Sequence, residues 1–172
     1  MDRITGNVGE AIAFSVTATD PDGDPLVLSM HPLPLPAGAT LETTRSEPGV
    51  ITKVLRWTPD LTQGGTYEFF FRVMDPSDLS DTETVTITVP QAFIRGDANG
   101  DGELDVSDAV RIPLYLFSQG ITLPVPDAAD VNDSGEINLT DAVFLLNALF
   151  KNGPPPAAPY PDPGVDPTRD NL

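Results

Sequence analysis

The sequence DANGDGELDVSD at residues 97–108 recurs, with substitutions, as DVNDSGEINLTD at residues 130–141. Each stretch begins and ends with aspartate, has glycine at its sixth position and runs into an apolar segment of helical character. Oxygen-bearing side chains at positions 1, 3, 5, 9 and 12, around a glycine at position 6, form the pattern with which loops bind calcium. Two such loops in tandem predict that calcium organises the C-terminal half into two loop–helix repeats.

The two predicted ligand sets differ in charge. The first loop supplies four carboxylates and one amide, with a main-chain carbonyl at position 7; its ligands are Asp97, Asn99, Asp101, Asp105 and Asp108, with the carbonyl of Glu103. The second supplies two carboxylates; its ligands are Asp130, Asn132, Ser134, Asn138 and Asp141, with the carbonyl of Glu136. Calcium affinity follows ligand charge, so we expect tighter binding in the first loop. Magnesium is disfavoured because it rarely accepts a cage of seven protein oxygens.

The alternative for each loop is an acidic, glycine-containing turn that caps a helix without metal. The terminal aspartates, Asp108 and Asp141, would then stabilise the positive ends of their helices. Helices are predicted over residues 108–117 and 141–150. Pro113 should kink the first or distort its middle, and Gly120 and Gly153 suit helix termination.

The N-terminal half alternates between apolar and polar residues at a period of two, which indicates β-strands. Strands are predicted near residues 3–8, 11–19, 26–30, 39–43, 50–57, 66–74 and 82–89, separated by turns rich in Asp, Pro and Gly. Seven short strands of this kind predict an immunoglobulin-like β-sandwich. Tyr67 opens the sixth strand, where it is either a tyrosine corner bonded to upstream backbone or a plain core aromatic.

Composition excludes several function classes. The net charge of −17 argues against nucleic acid or anionic membrane as a partner. No apolar run approaches the roughly 18 residues of a membrane span. The chain has no cysteine and one histidine, His31, so neither a thiolate zinc site nor a hydrolytic triad has its residues. Because the acidic clusters are explained as turns or calcium ligands, we expect a protein that is not an enzyme.

A second acidic cluster lies in the predicted sandwich. Asp20, Asp22 and Asp24 follow one strand, and Asp75, Asp78 and Asp81 follow another, so the two turns could meet at one end. Ordinary turn chemistry explains these residues, and a weak third calcium site, with Asp20, Asp22, Asp24 and Asp75 as ligands, is the alternative.

The organisation that these patterns predict has three parts: a β-sandwich over residues 1–90, a tandem calcium module over 91–153 and a proline-rich tail over 154–172. Phe93 and Ile94 either pack, which would restrain the linker, or belong to a flexible hinge. The tail is predicted to be disordered or to lie extended on the helices, with Tyr160 as its anchor. The N-terminus has no signal-peptide segment, so we interpret the chain as a fragment of a secreted or cell-surface protein.

Residues 95–153 resemble a type I dockerin, on the evidence of the duplicated loop, the aspartate at position 12 and the absence of an entering helix. Residues 1–90 resemble bacterial immunoglobulin-like or cadherin-like repeats, through FSVTATDPDGD (14–24), WTPD (57–60) and GTY (65–67). The dockerin resemblance implies docking to a cohesin-type partner through loop positions 10 and 11, which are Val106 and Ser107, and Leu139 and Thr140. The sandwich would then be a spacer or stiffener.

Two other functions stay open at this point. The chain could be a calcium-dependent subunit that assembles with copies of itself into a surface layer or fibre, because paired modules suit head-to-tail contacts. It could also be the C-terminal cap of a larger secreted enzyme or adhesin, with the calcium loops serving only its own fold.

Overall fold

The structure, a computed structural model, describes residues 2–168 and Leu172. It consists of two compact units, Met1–Pro90 and Gln91–Leu172. The first is built of strands and the second of helices and loops. Among the described residues, no helix has the length and apolar character needed to span a bilayer.

The first unit is a sandwich of two sheets. Its strands are β1 (Asp2–Thr5), β2 (Ile12–Thr19), β3 (Val27–His31), β4 (Thr40–Glu47), β5 (Val50–Trp57), β6 (Gly65–Met74) and β7 (Ser80–Val89). One sheet has the order β1-β7-β6-β3 and the other the order β2-β5-β4. The pair β1 and β7 is parallel, and the remaining pairs are antiparallel. This confirms the predicted immunoglobulin-like sandwich.

The alternating residues of the strands fill the space between the sheets. Trp57, Phe69, Phe71, Leu55 and Ile87 are at most 2% exposed and form the centre of the core. Burying a large apolar side chain contributes roughly 1.5–3 kcal/mol, so these side chains fix which face of each strand points inward. The ring of Tyr67 lies edge-on to Trp57, with centroids 4.7 Å apart.

Tyr67 forms the tyrosine corner that its position suggested. Its hydroxyl donates to the main-chain carbonyl of Gln63 over 2.9 Å, four residues upstream. The plain core reading is therefore wrong, because the hydroxyl ties the turn before β6 to the start of that strand.

The second unit contains α1 (Val106–Phe117), the short α2 (Pro126–Ala129) and α3 (Leu139–Phe150). Its core comprises Ala98, Ala109, Ile112, Ala129, Val131, Ala142 and Leu145. Both long helices begin two residues before the predicted starts, because position 9 of each loop is the N-cap. The short helix α2 was not predicted from the sequence; its first residue is a proline, a common residue at that position.

The helix ends differ between the repeats. The first helix runs uninterrupted through Pro113 and is followed by Gly120 at φ +80°. In the second repeat Asn152 adopts the left-handed conformation, at φ +51°, instead of Gly153. The Gly153 amide donates to the carbonyl of Asn147 over 2.9 Å, and a Cβ at Gly153 would lie 2.9 Å from the Asn147 backbone. Gly153 is therefore required for close approach rather than for its φ angle.

Residues 154–168 of the tail pack within the second unit. Phe93 is 7% exposed and exchanges two main-chain hydrogen bonds with Gly164, of 2.9 and 3.0 Å. Pro156 and Pro159 are buried, whereas Tyr160 is 38% exposed. The expectation that Tyr160 anchors the tail was wrong, because backbone hydrogen bonds and buried prolines hold it instead.

Candidate metal centre

The first loop wraps around its own carboxylates. Asp97 accepts from the amide of Asp101 over 3.2 Å with Oδ1 and from the amide of Gly102 over 2.9 Å with Oδ2. Asp108 accepts from the amides of Asn99, over 3.1 Å, and Asp105, over 3.0 Å. The carboxylates at positions 1 and 12 therefore draw the backbone of the loop inward from both ends.

The second loop repeats this pattern. Asp130 accepts from the amides of Ser134, over 3.0 Å, and Gly135, over 2.6 Å. Asp141 accepts from the amides of Asn132, over 3.4 Å, and Asn138, over 2.9 Å. The same four positions are thus linked to the same two carboxylates in both repeats, although the sequences differ between them.

Glycine at position 6 is needed for the turn of each loop. Gly102 has φ +86° and Gly135 has φ +79°, and residues with a Cβ rarely adopt this left-handed backbone conformation. Position 4 differs: Gly100 has φ +77° in the first loop, and Asp133 takes φ +57° in the second. The second loop therefore holds a residue with a side chain where the first has glycine.

Three carboxylates at the ends of the loops are fully buried. Asp108, Asp130 and Asp141 are 0% exposed, and within the described residues none of them pairs with a lysine or arginine. Burial raises the pKa of Asp108 and of Asp141. The negative charges of Asp97 and Asp101 raise the pKa of Asp108 further, and that of Asp130 acts likewise on Asp141. A divalent cation would offset this cost, so the donor set fits calcium.

No three Asp, Glu, His or Cys side chains among residues 2–168 and Leu172 form a group able to hold a metal by themselves. The predicted sets include amide, hydroxyl and main-chain oxygens as well as carboxylates. Two of these predicted ligand residues also form hydrogen bonds within the protein. The side-chain amide nitrogen of Asn99 donates to the carboxylate of Asp101 over 2.8 Å, and the hydroxyl of Ser134 donates to the carbonyl of Glu136 over 3.2 Å.

The residues at position 9 combine two roles. Asp105 and Asn138 are the N-caps of α1 and α3, and each accepts from the amide two residues later. Hydrogen bonds from the hydroxyl and amide of Ser107 lower the pKa of Asp105. A predicted metal ligand is thus also the residue that starts the helix, which couples each loop to the helix after it.

Loop positions 10 and 11 occupy the first turn of each helix and face solvent. Val106 and Leu139 are each 49% exposed, and Ser107 and Thr140 are also exposed. Further exposed apolar side chains continue along α1 and α3 at matching positions, namely Val110 with Val143 and Phe117 with Phe150. The match fails at Leu114, whose counterpart is Asn147.

The weaker acidic cluster of the sandwich is drawn partly together. Asp20, Asp75 and Asp81 line one surface depression of about 240 Å³. Asp20 accepts from the amides of Asp22 and Asp24, and Asp75 accepts from the amides of Ser77 and Leu79. Turn amides therefore engage the carboxylates of Asp20 and Asp75, as ordinary turn chemistry predicts, and the third calcium site stays a prediction.

Arg95 is a residue of the second unit that sequence reasoning missed. Its side chain is 0% exposed and lies 3.0 Å from Asp133 and 2.9 Å from Asp166. No periodic pattern signals a buried arginine, because its partners come from the second loop and the tail.

Comparison with family models gives two matches. A model described as a putative Ig domain matches residues 2–90, more than half of the chain. The chain belongs to the putative Ig domain family. A model of the type I dockerin domain matches residues 95–150, following the Ig domain in the order that the sequence indicated.

Comparison with solved structures gives distant matches over part of the chain. An endo-fucoidan hydrolase of glycoside hydrolase family 107 is 22% identical, with a TM-score of 0.38, and the match covers 53% of this chain and 13% of the enzyme. The sialic acid binding region of a Streptococcus sanguinis adhesin is 15% identical, with a TM-score of 0.44, covering 73% and 39%. The BIgI domain of the beta protein from S. agalactiae, bound to CEACAM1, is 18% identical, with a TM-score of 0.39, covering 51% of this chain and 88% of that one.

The chain thus spans 13% of the fucoidan hydrolase and 39% of the sialic acid binding region, which is less than half the length of either. No curated protein matches it. Type I dockerin domains bind calcium and bind cohesin domains, and both kinds of domain found here are non-catalytic modules. Such modules are typical of extracellular and cell-surface proteins.

Proposed function

We propose that this chain is the docking end of an extracellular protein, in which two calcium ions hold a dockerin domain in shape and a cohesin-type partner binds its helices. The division into residues 1–90, 91–153 and 154–172 belongs to the same proposal, with the Ig domain as spacer or stiffener. The observation that carries it is the matching hydrogen-bond pattern of the two loops, each of which leads directly into an exposed first helical turn.

The calcium part of the proposal assigns one ion to each loop. The predicted ligands at positions 1 and 12 are Asp97 with Asp108 and Asp130 with Asp141, and three of these four carboxylates are fully buried. Buried carboxylates with no lysine or arginine partner among the described residues favour a bound cation over a metal-free turn. A third ion near Asp20 and Asp75 stays a prediction, because turn amides already occupy those carboxylates.

The docking part of the proposal assigns the partner surface to two similar patches. Val106 and Ser107 begin one patch, Leu139 and Thr140 begin the other, and exposed apolar residues of α1 and α3 extend both. Exposed apolar side chains in register on two helices exceed what a small solvated module needs. This favours a protein partner.

The test is capture of the whole chain by immobilised cohesin domains, with calcium and with excess chelator. The proposal expects calcium-dependent capture by at least one cohesin and a monomer in light scattering. Calcium-dependent growth in mass without a cohesin would instead support the self-assembling subunit. A calcium-loaded monomer that no cohesin retains would contradict docking and favour the C-terminal cap.

A further inference from the structure

Arg95 is a fully buried cation in a chain of strongly negative charge. Its guanidinium lies 5.4 Å from the centre of the Phe93 ring. A buried charge is costly unless carboxylates and hydrogen-bond acceptors surround it. The position of those acceptors therefore shows what Arg95 holds in place.

Several of the acceptors belong to the second loop or to the segment that leads into it. Nη1 donates to the main-chain carbonyl of Asp130 over 2.8 Å and to that of Asp127 over 3.2 Å. Nη2 lies 3.0 Å from the carboxylate of Asp133. Arg95 thus contacts the first and fourth residues of the loop, on either side of its predicted ligand Asn132.

Asp133 is the residue of this loop that most needs support. It has φ +57°, whereas the equivalent Gly100 reaches φ +77° without a Cβ. A non-glycine residue in this region is strained and persists where its surroundings hold it. Its carboxylate is held by Arg95 and accepts from the hydroxyl of Thr168 over 2.9 Å.

The tail supplies the remaining acceptors. Asp166 lies 2.9 Å from Nη2, and the carbonyl of Ala158 accepts from Nε over 2.8 Å. The main-chain amide of Arg95 donates to the carbonyl of Pro159 over 2.7 Å. Arg95 therefore joins the start of the dockerin domain, its second loop and the proline-rich tail through one side chain.

We propose that Arg95 is a positioning residue for the second calcium loop and that Asp166 of the tail holds it there. The inference rests on the proposed function, because it assumes that this loop binds calcium. The tail is then part of the unit that binds calcium. Its support offsets the smaller number of carboxylates in the second loop. In the part of the chain that the structure describes, the first loop makes no ion pair with an arginine or lysine, and the residue equivalent to Arg95 in the repeat is Ala128.

The test uses Asp166→Asn, which keeps the shape of the side chain and removes its charge. Asp162→Asn is the matched control, since it makes the same change at an exposed tail position. Arg95→Lys is a second variant that keeps the charge and loses the planar fork. The readout is hydrogen exchange measured by NMR during a calcium titration, which gives a calcium midpoint for each loop. The first loop is followed through the amides of Asp101 and Gly102, which donate to Asp97. The second loop is followed through the amides of Ser134 and Gly135, which donate to Asp130.

We expect Asp166→Asn and Arg95→Lys to raise the calcium midpoint of the second loop roughly 10-fold, as loss of outer-shell partners does elsewhere. The midpoint of the first loop and the behaviour of Asp162→Asn should match the unsubstituted chain. Unchanged midpoints in both variants would overturn the inference alone. Equal shifts in both loops would also overturn it, because they indicate general destabilisation. No calcium response in the unsubstituted chain would overturn the proposed function and the inference together.

Discussion

The main-chain amide of Asp105 donates to the carboxylate of Asp108 over 3.0 Å, and the equivalent amide of Asn138 donates to Asp141 over 2.9 Å. The ninth and twelfth positions of each loop are therefore also the N-cap and third residue of the following helix. In this capping box the groups that would bind the ion also satisfy free amides of the helix. Ion binding and helix formation should depend on each other.

Removal of calcium should unfold the dockerin domain and leave the Ig domain folded. The second core is small and consists mainly of alanine and medium-sized side chains, so it is marginal by itself. Excess chelator should abolish most of the helical circular dichroism. Trp57, the one tryptophan and 2% exposed, reports the Ig domain, and its fluorescence should not change. A helical signal that survives chelation would contradict this prediction.

The first loop should bind calcium more tightly than the second. Asp130→Asn weakens the second loop and leaves the first loop intact, with its four carboxylates. Asp97→Asn weakens the first loop and leaves the second loop intact, with its two carboxylates. Calorimetry should give the Asp130→Asn chain a Kd roughly tenfold or more below that of the Asp97→Asn chain, because affinity follows ligand charge. The order would be contradicted by equal constants or by a tighter site in the Asp97→Asn chain.

The tyrosine corner should contribute to the stability of the Ig domain. Tyr67→Phe removes the hydrogen bond to Gln63 and keeps the ring against Trp57, so it should cost about 1 kcal/mol. The thermal transition followed by Trp57 should fall by about 4–8 °C for each kcal/mol lost in a domain of this size. Tyr115→Phe, at an exposed tyrosine of the other unit, is the control and should leave this transition unchanged.

The two docking patches can be disabled separately. Val106→Asp and Leu139→Asp place a charge in an exposed apolar patch, and an acidic residue in the first turn favours the helix. Loss of cohesin binding would therefore not reflect loss of the helix. We expect the double variant to lose binding at least tenfold, since burying an unpaired charge is costly.

Val27→Asp is the matched control for these variants, because Val27 is an exposed valine of the Ig domain, and it should bind as the unsubstituted chain does. The single variants show whether one patch suffices. A double variant that binds normally would place the docking surface elsewhere.

The sequence predicted most of the fold because the strands and helices show local periodicity. It placed the exposed strand β4 less well: residues 39–43 were predicted, and the strand extends over Thr40–Glu47. Seven of its eight residues are exposed, so it has no apolar alternation to show its length. The helix starts were missed by two residues, since the N-cap role of Asp105 lies in its main-chain geometry.

The site was predictable where its residues are adjacent in sequence. The loop spacing indicated every position that the two hydrogen-bond patterns use. Arg95 and Asp166 could not be found in this way, because they are 71 positions apart and neither stands in a motif. Arg95 is buried because three segments that are distant in sequence meet around it. A local sequence pattern does not indicate such a meeting.

The most direct test of the calcium account is anomalous diffraction from crystals of the whole chain grown with calcium. The account predicts one anomalous peak inside residues 97–108 and another inside 130–141, each about 2.3–2.6 Å from several oxygens. Crystals grown in excess calcium in which both loops are ordered and neither contains a peak would contradict it.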